Sequence, residues 1–368
     1  LNSENNTMSD FDDFVGTREA IGKHAIDTAA LSVWLETHLP GFEGPIRVEL
    51  FKGGQSNPTY KLLTPSSSYV IRSKPGPVSQ LLPSAHAVER EFAVMRGLAG
   101  TAVPVPRMLC LCEDESVIGR AFYLMEYVPG RVLWDPLLRG MAAAERSAIY
   151  DEMNRVIAAL HTVNVAQQGL SGYGKPGNYF ERQIGRWSRQ YLASITQPIA
   201  EMDRLMAWLP QAIPAMARDP AMVSIVHGDY RLDNLMFDAD EARVIAVLDW
   251  ELSTLGHPLA DFSYHCMAWN IPSGTFRGIG GLDLAALGIP AEADYIRLYC
   301  ERSGLATPTQ LQRDWNFYMA YNMFRIAAIL QGIAKRAEDG TASSSQAASS
   351  GAGARPLAEL AWRFAQRA

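Results

Sequence analysis

The sequence predicts an α+β protein of two lobes, the first rich in strands and the second mainly helical. Three observations carry this. The chain has 368 residues, enough for two domains at about 150 residues each. Up to Gly130, short β-prone runs alternate with turn residues. Beyond Gly130, apolar residues recur at helical spacing, and strands followed by helices make an α+β plan. Hydrophobic residues make up 48% and charged residues 20%, a globular balance that excludes wholesale disorder and a collagen-like fibre. With 33 Lys+Arg against 39 Asp+Glu the net charge is −6, which argues against a general nucleic-acid binder. No apolar run reaches the roughly 18 residues of a membrane span, and the polar first residues give no secretory leader. Cys110, Cys112, Cys266 and Cys300 supply no disulfide framework, so a reduced, cytoplasmic protein is expected. Cys110-Leu111-Cys112 reads as two ordinary thiols on a strand.

Residues 1–14 read as a disordered tail or a cloning remnant, with Met8 as the native start. Residues 15–128 form the first lobe and 129–368 the second. Asp27 caps a short helix with Leu31, Trp34, Leu35 and Leu39 on its apolar side, stopped by Pro40-Gly41. Alternation from Ile46 to Phe51 is a strand. Gly53-Gly54-Gln55-Ser56-Asn57-Pro58 is a turn whose glycines allow close backbone approach, to a phosphate for instance. Tyr60–Leu63 and Tyr69–Arg72 are further strands. Period-2 geometry puts Val70, Arg72 and Lys74 on one face. Ser84 is the expected N-cap of a helix with Val88, Phe92, Met95 and Ala99 on one stripe and Glu91 at its edge. Phe122–Val128 is a strand ended by Pro129-Gly130. Ile149, Met153, Val156, Ile157 and Leu160 open the helical part. Residues 342–354, almost all Ser, Ala and Gly, read as a mobile loop before a last helix from about Pro356.

The chemistry concentrates at Ile225 to Phe237, which contains His227-Gly228-Asp229 and Asn234, and at Val244 to Glu251, which contains Asp249. Two apolar strands are expected to bring Asp229, Asn234 and Asp249 together. Two carboxylates and an amide oxygen are hard donors that suit Mg²⁺ shared with substrate phosphates. Phosphoryl transfer needs such a metal and a carboxylate to accept a hydroxyl proton.

His-Gly-Asp-x-x-x-x-Asn, followed by a strand and Asp, resembles the motif pair of the aminoglycoside phosphotransferase-like kinases, small-molecule relatives of the protein kinases. Gly53 to Tyr60 and Leu82 to Glu91 extend the likeness to the kinase-like domain fused to acyl-CoA dehydrogenases in animals. It covers residues 15 to 335. The resemblance implies a bilobal protein-kinase-like fold that uses ATP and Mg²⁺. It implies Asp229 as the catalytic base and Asn234 and Asp249 as metal ligands. It also implies that Arg72, in the place of the usual Lys, meets the phosphates and pairs with Glu91, with Lys74 as the alternative and Ser56 in the glycine turn. The Glu126 carbonyl and Val128 amide fall at the adenine edge. Arg231 stands near the transferred phosphate. His227 and Asp261 support the catalytic loop, Asp261 also as a helix N-cap. Trp250-Glu251 departs from the Phe-Gly of protein kinases.

Aminoglycosides are polycations, yet residues 171–220 hold Lys175, Arg182, Arg186, Arg189, Arg204 and Arg218 against Glu181, Glu201, Asp203 and Asp219. Arg182, Arg186 and Arg189 fall at roughly 0°, 40° and 340° around a helix. Ile184, Trp187 and Tyr191 lie on the opposite side. An anionic or neutral hydroxylated small molecule, a hydroxyacyl-CoA by analogy with the fused relatives, is therefore the expected acceptor. Arg325, the lone charge between Asp314 and Lys335, is a further contact. Two other functions fit parts of the pattern. One is a catalytically silent nucleotide binder. The other is a metal-dependent hydrolase using His227, Asp229, Asp249 and His257.

Overall fold

The computed structural model describes residues 15–53, 57–76, 87–340 and 351–368. In chain order they form β1 (Thr17–Glu19), α1 (Thr28–His38), β2 (Arg47–Phe51), β3 (Thr59–Leu63), β4 (Ser68–Ser73), α2 (Val88–Leu98), β5 (Met108–Cys112), β6 (Phe122–Glu126) and β7 (Arg131–Val132). These are followed by α3 (Ala143–His161), α4 (Tyr179–Ala193), α5 (Ala200–Ala212), β8 (Ser224–Val226), β9 (Leu235–Phe237), β10 (Val244–Val247) and β11 (Thr254–Gly256). Then come α6 (Pro258–Asn270), α7 (Leu284–Leu287), α8 (Glu292–Ser303), α9 (Pro308–Glu338) and α10 (Ala354–Ala365). The chain divides into two compact units. The first runs to Trp134 and includes Leu235–Leu252; the second comprises Asp135–Asn234 and Ser253–Ala368. No helix among the described residues is long and apolar enough to cross a membrane.

In the first unit an antiparallel sheet has the order β1-β2-β3-β4-β6-β5. The Asp27 carboxylate accepts the Ala29 and Ala30 amides at 3.0 Å, so α1 starts where its cap predicts. Leu31 and Leu35 of α1 join Tyr60, Leu62, Ile71, Phe122 and Leu124 in one core, each fully buried. Each such side chain contributes about 1.5–3 kcal/mol by leaving water. A second small sheet, β10-β9-β7, belongs to the same unit. Gly130 leads into it because a Cβ there would stand 2.4 Å from the Phe237 carbonyl oxygen. Helix α2 begins at Val88 after an Ala87 that makes no side-chain cap. The expected cap, Ser84, lies outside the described residues.

In the second unit α9 is the central helix. A capping box between Thr307 and Gln310 starts it. α9 packs against α4, α6 and α10. Phe262 of α6 stacks on Tyr299 of α8 with centroids 3.7 Å apart. β8 and β11 pair antiparallel, Val226 opposite Thr254. That ribbon carries the polar loop after Val226 into the helical unit.

Candidate active site

The first unit supplies one set of site residues. β4 is buried on both faces and ends at Ser73, so Arg72 and Lys74 do not share the expected environment. Arg72 is 8% exposed. Its Nε lies 2.8 Å from Glu91 Oε2 and its Nη2 lies 2.6 Å from Asp249 Oδ1, with Glu251 at 3.9 Å. Burial alone would lower the basicity of the guanidinium. The Glu91 and Asp249 carboxylates overcome that and hold it above the ordinary arginine range. Glu91 also accepts the Asn57 amide at 2.7 Å and the Tyr123 hydroxyl at 3.2 Å. Register explains Tyr123, which stands opposite Arg72 across the β4–β6 ladder. Lys74 instead pairs with Glu89 at 3.1 Å and is partly exposed. Asp249 follows β10 at φ +62°, a left-handed backbone that Asp tolerates better than most residues. Trp250 beside it is buried, and its Nε1 donates to the Val247 carbonyl at 2.9 Å. Glu126 closes β6, its carboxylate accepting the Arg107 amide at 2.8 Å; Val128 follows beyond the strand end. Ser56 lies outside the described residues.

The second unit supplies the other set. His227, Gly228 and Asp229 leave β8 in a turn with Gly228 at φ +81°, a conformation that suits glycine. Asp261, buried in α6, accepts the His227 amide at 2.7 Å and the Gly228 amide at 2.8 Å. It also receives His161 Nε2 at 3.2 Å. Burial would raise the Asp261 carboxyl; hydrogen bonding from His161 and from the His227 backbone outweighs it and keeps it below the usual range. Asp261 is therefore loop support but not the expected N-cap. His257 caps α6, its Nδ1 accepting the Leu259 amide at 3.2 Å and its Nε2 meeting the Met216 carbonyl at 3.2 Å. Burial lowers His257 to about 4. Both of its ring nitrogens are engaged, which removes it as a metal ligand. His227 Nδ1 likewise accepts the Asp229 amide at 3.2 Å.

Asp229 itself is held from several sides. Asn234 Nδ2 donates to its carbonyl at 2.8 Å and to Oδ2 at 3.1 Å. Arg231 Nε lies 3.2 Å from the same Oδ2 and 3.5 Å from Asp233. The Tyr264 hydroxyl donates to Oδ1. Burial and the Asp229 charge push that phenol well above its ordinary range, so Tyr264 remains a donor. Arg277, at φ +61° in the loop after α6, binds Asp233. Asn234 commits its amide nitrogen to Asp229, which leaves its amide oxygen as a hard donor. An amide oxygen of this kind, like the Asp249 carboxylate in the first unit, is a hard donor of the type that suits Mg²⁺. Among the described residues no group of three or more His, Cys, Asp or Glu could hold a metal ion.

Helix α4 buries Ile184, Trp187 and Tyr191 as its spacing predicts. Its basic stripe divides. Arg182 donates to the Lys175 carbonyl at 2.6 Å and the Pro176 carbonyl at 3.4 Å, so it fastens its own loop. Arg186 and Arg189 are exposed, and the Arg186 guanidinium lies 5.1 Å from the Trp187 ring centroid. Arg325 of α9 donates Nη2 to the Gly228 carbonyl at 2.6 Å. Sequence reasoning missed the site contacts of Asn57, Tyr123, Tyr264 and Arg277. Tyr264 had one signal, its place one helical turn beyond Asp261.

A family model described as the phosphotransferase enzyme family matches residues 47–298. The chain is 47% identical over 340 residues to acyl-CoA dehydrogenase family member 10 of Mus musculus, covering 90% of this chain and 31% of that protein. It is 39% identical over 357 residues to acyl-CoA dehydrogenase family member 11 of Rattus norvegicus, covering 95% of this chain and 45% of that protein. The chain thus spans less than half the length of these curated relatives. A crystal structure of a candidate aminoglycoside phosphotransferase from Ralstonia eutropha superposes with a TM-score of 0.84 at 61% identity, covering 93% of this chain and 99% of that one.

Proposed function

Since this chain belongs to the phosphotransferase enzyme family, we propose that it is a kinase moving the γ-phosphate of ATP to the hydroxyl of a small molecule. The observation that most supports this is the Asp229 carboxylate, oriented by Tyr264, Asn234 and Arg231. An aimed carboxylate is what a hydroxyl must give its proton to. Asn234 and Asp249 are the residues that would hold Mg²⁺, which would supply neutralisation of phosphate oxygens. Arg72, positioned by Glu91, meets the nucleotide phosphates, with Ser56 in the glycine turn and Lys74 as a secondary contact. The Glu126 carbonyl and Val128 amide receive the adenine. Arg231 faces the transferred phosphate.

The acceptor is anionic or neutral, a hydroxyacyl-CoA being the candidate suggested by the acyl-CoA dehydrogenase relatives. Arg186, Arg189 and Arg325 are its contacts, and Arg182 contributes through its loop. A polycationic aminoglycoside is disfavoured beside these guanidinium groups.

The test is Mg²⁺-dependent ADP release on adding a panel of hydroxylated metabolites. Acceptor-dependent ADP is expected. Nucleotide binding without turnover on any acceptor would favour a silent binder. Phosphate release from esters without ATP would favour a hydrolase, a reading weakened by the engaged ring nitrogens of His257.

A further inference from the structure

Two of the buried arginines, Arg72 and Arg325, are treated in opposite ways. Arg72 has carboxylates at 2.8 and 2.6 Å. Arg325, also 8% exposed, has no carboxylate within 4.0 Å among the described residues. Its hydrogen bond goes to the Gly228 carbonyl, which leaves further N–H donors of the fork without an oxygen acceptor. Two aromatic rings stand near it. The Tyr264 centroid is 5.0 Å from the guanidinium carbon and the Trp187 centroid 5.6 Å. Rings attract the cation but do not accept its in-plane hydrogen bonds. A desolvated guanidinium without an anion is costly. Trp187 adds a second unmet demand: its Nε1 is buried with no hydrogen-bond partner. Arg186 lies over the same indole, at 5.1 Å.

The place of this cluster matters. The carbonyl that Arg325 grips belongs to the peptide leading into Asp229, and Tyr264 gives its hydroxyl to the Asp229 carboxylate. A ligand group satisfying Arg325 therefore sits beside the base. We propose that Arg325 determines acceptor specificity by binding an oxyanion of the acceptor, a carboxylate or a phosphate, while Asp229 engages the hydroxyl. This rests on the phosphotransfer reading above and narrows its substrate class to hydroxylated anions. The fork of Arg325 holds two oxygens in one plane, which a Lys at this position would not do. An amino alcohol would bring a further cation beside the Arg325 and Arg186 guanidinium groups.

The experiment compares matched acceptors by ATP-coupled ADP release. One pair is 3- and 4-hydroxy acids against their methyl esters. The other is a hydroxyacyl-CoA against the corresponding pantetheine thioester, which lacks the nucleotide phosphates. Wild type should favour the anionic member of at least one pair by roughly tenfold or more in kcat/KM. Which pair discriminates identifies the source of the oxyanion. Arg325→Met should collapse that ratio towards unity, mainly through KM, and Arg325→Lys should restore part of it. Equal use of both members in both pairs overturns the proposal, as does a ratio that survives in Arg325→Met. If no acceptor releases ADP, the phosphotransfer reading fails by itself. Quenching of tryptophan emission by the same acids and thioesters then decides the anion site, with Trp187→Phe identifying the signal. Saturable quenching by the anions alone supports the site, and equal or absent quenching overturns it. Should Arg325→Met not fold, the wild-type ratios and the quenching decide in the same way.

Discussion

Glu91 can be removed and the consequence read in stability before any catalysis is measured. Its side chain is 1% exposed and that of Arg72 is 9%, with 2.8 Å between them. Glu91→Ala leaves the guanidinium with Asp249, which is 28% exposed, and strips the Asn57 amide and Tyr123 hydroxyl of their acceptor. Breaking a buried pair from one side costs about 3–5 kcal/mol, and each orphaned donor about 1–3 kcal/mol more before relaxation. Burial applies to both partners, so screening discounts little of this. Arg72→Ala should cost about 3–5 kcal/mol too, because two carboxylates then face each other unneutralised. The double variant should cost about as much as the worse single one, a coupling of roughly 2 kcal/mol or more. Urea denaturation followed by far-UV circular dichroism gives the three values, and Glu91→Gln provides a milder variant should the alanine fail to fold. Additivity within about 0.5 kcal/mol, or a loss below about 1 kcal/mol for Glu91→Ala, would refute the reasoning.

Asp229→Asn should retain nucleotide binding and lower acceptor-dependent turnover by at least about tenfold; a smaller loss removes Asp229 as the base. Asp249→Ala should weaken ATP binding in Mg²⁺ but much less in EDTA, measured by calorimetry, and an unchanged metal dependence would place the metal elsewhere. Arg186→Ala should raise the acceptor KM a few-fold and make it less sensitive to salt, since exposed charges are screened, with the ATP KM steady. His257, lowered by burial to about 4 from 6.5, stabilises the fold when neutral. Its contribution is complete above pH 6.5 and is lost as pH falls towards 4, about 3 kcal/mol in all. His257→Asn should flatten that part of a urea-midpoint-against-pH curve, and a curve identical to wild type would exclude this source.

Local patterns were readable where they depend on near neighbours in sequence. Asp27 caps α1, the α4 spacing buries Trp187 and Tyr191, and the polar loop after β8 carries Asp229. The Arg72–Glu91 pair followed from family resemblance and stands at ion-pair distance. Contacts between distant segments were not readable. Asn57 meets Glu91 and Tyr264 meets Asp229 across 34 and 35 residues, and a tyrosine amid Phe262, Cys266 and Met267 looks like core. Arg277 sits in a positive-φ loop, which alternation and helical spacing do not describe. The stripe of three arginines hid a division of labour, because the Arg182 acceptors are backbone carbonyls, to which side-chain patterns are blind. The misplaced Asp261 cap shows the same limit at a helix start, where one hydrogen bond decides and His257 made it.

The first unit is not one stretch of chain. It closes only when Leu235–Leu252 joins residues up to Trp134, and that returning piece brings β9 and β10 to β7 and Asp249 to Arg72. A fragment cut at Trp134 would therefore keep Arg72 and Glu91 yet strand the arginine's second acid on the discarded piece. Grafting the first unit of a relative onto this chain calls for exchanging two separate segments at three junctions. A recombinant with a single crossover would pair a strand ladder from one parent with a carboxylate from the other. Homologues should accordingly recombine well only where both segments travel together.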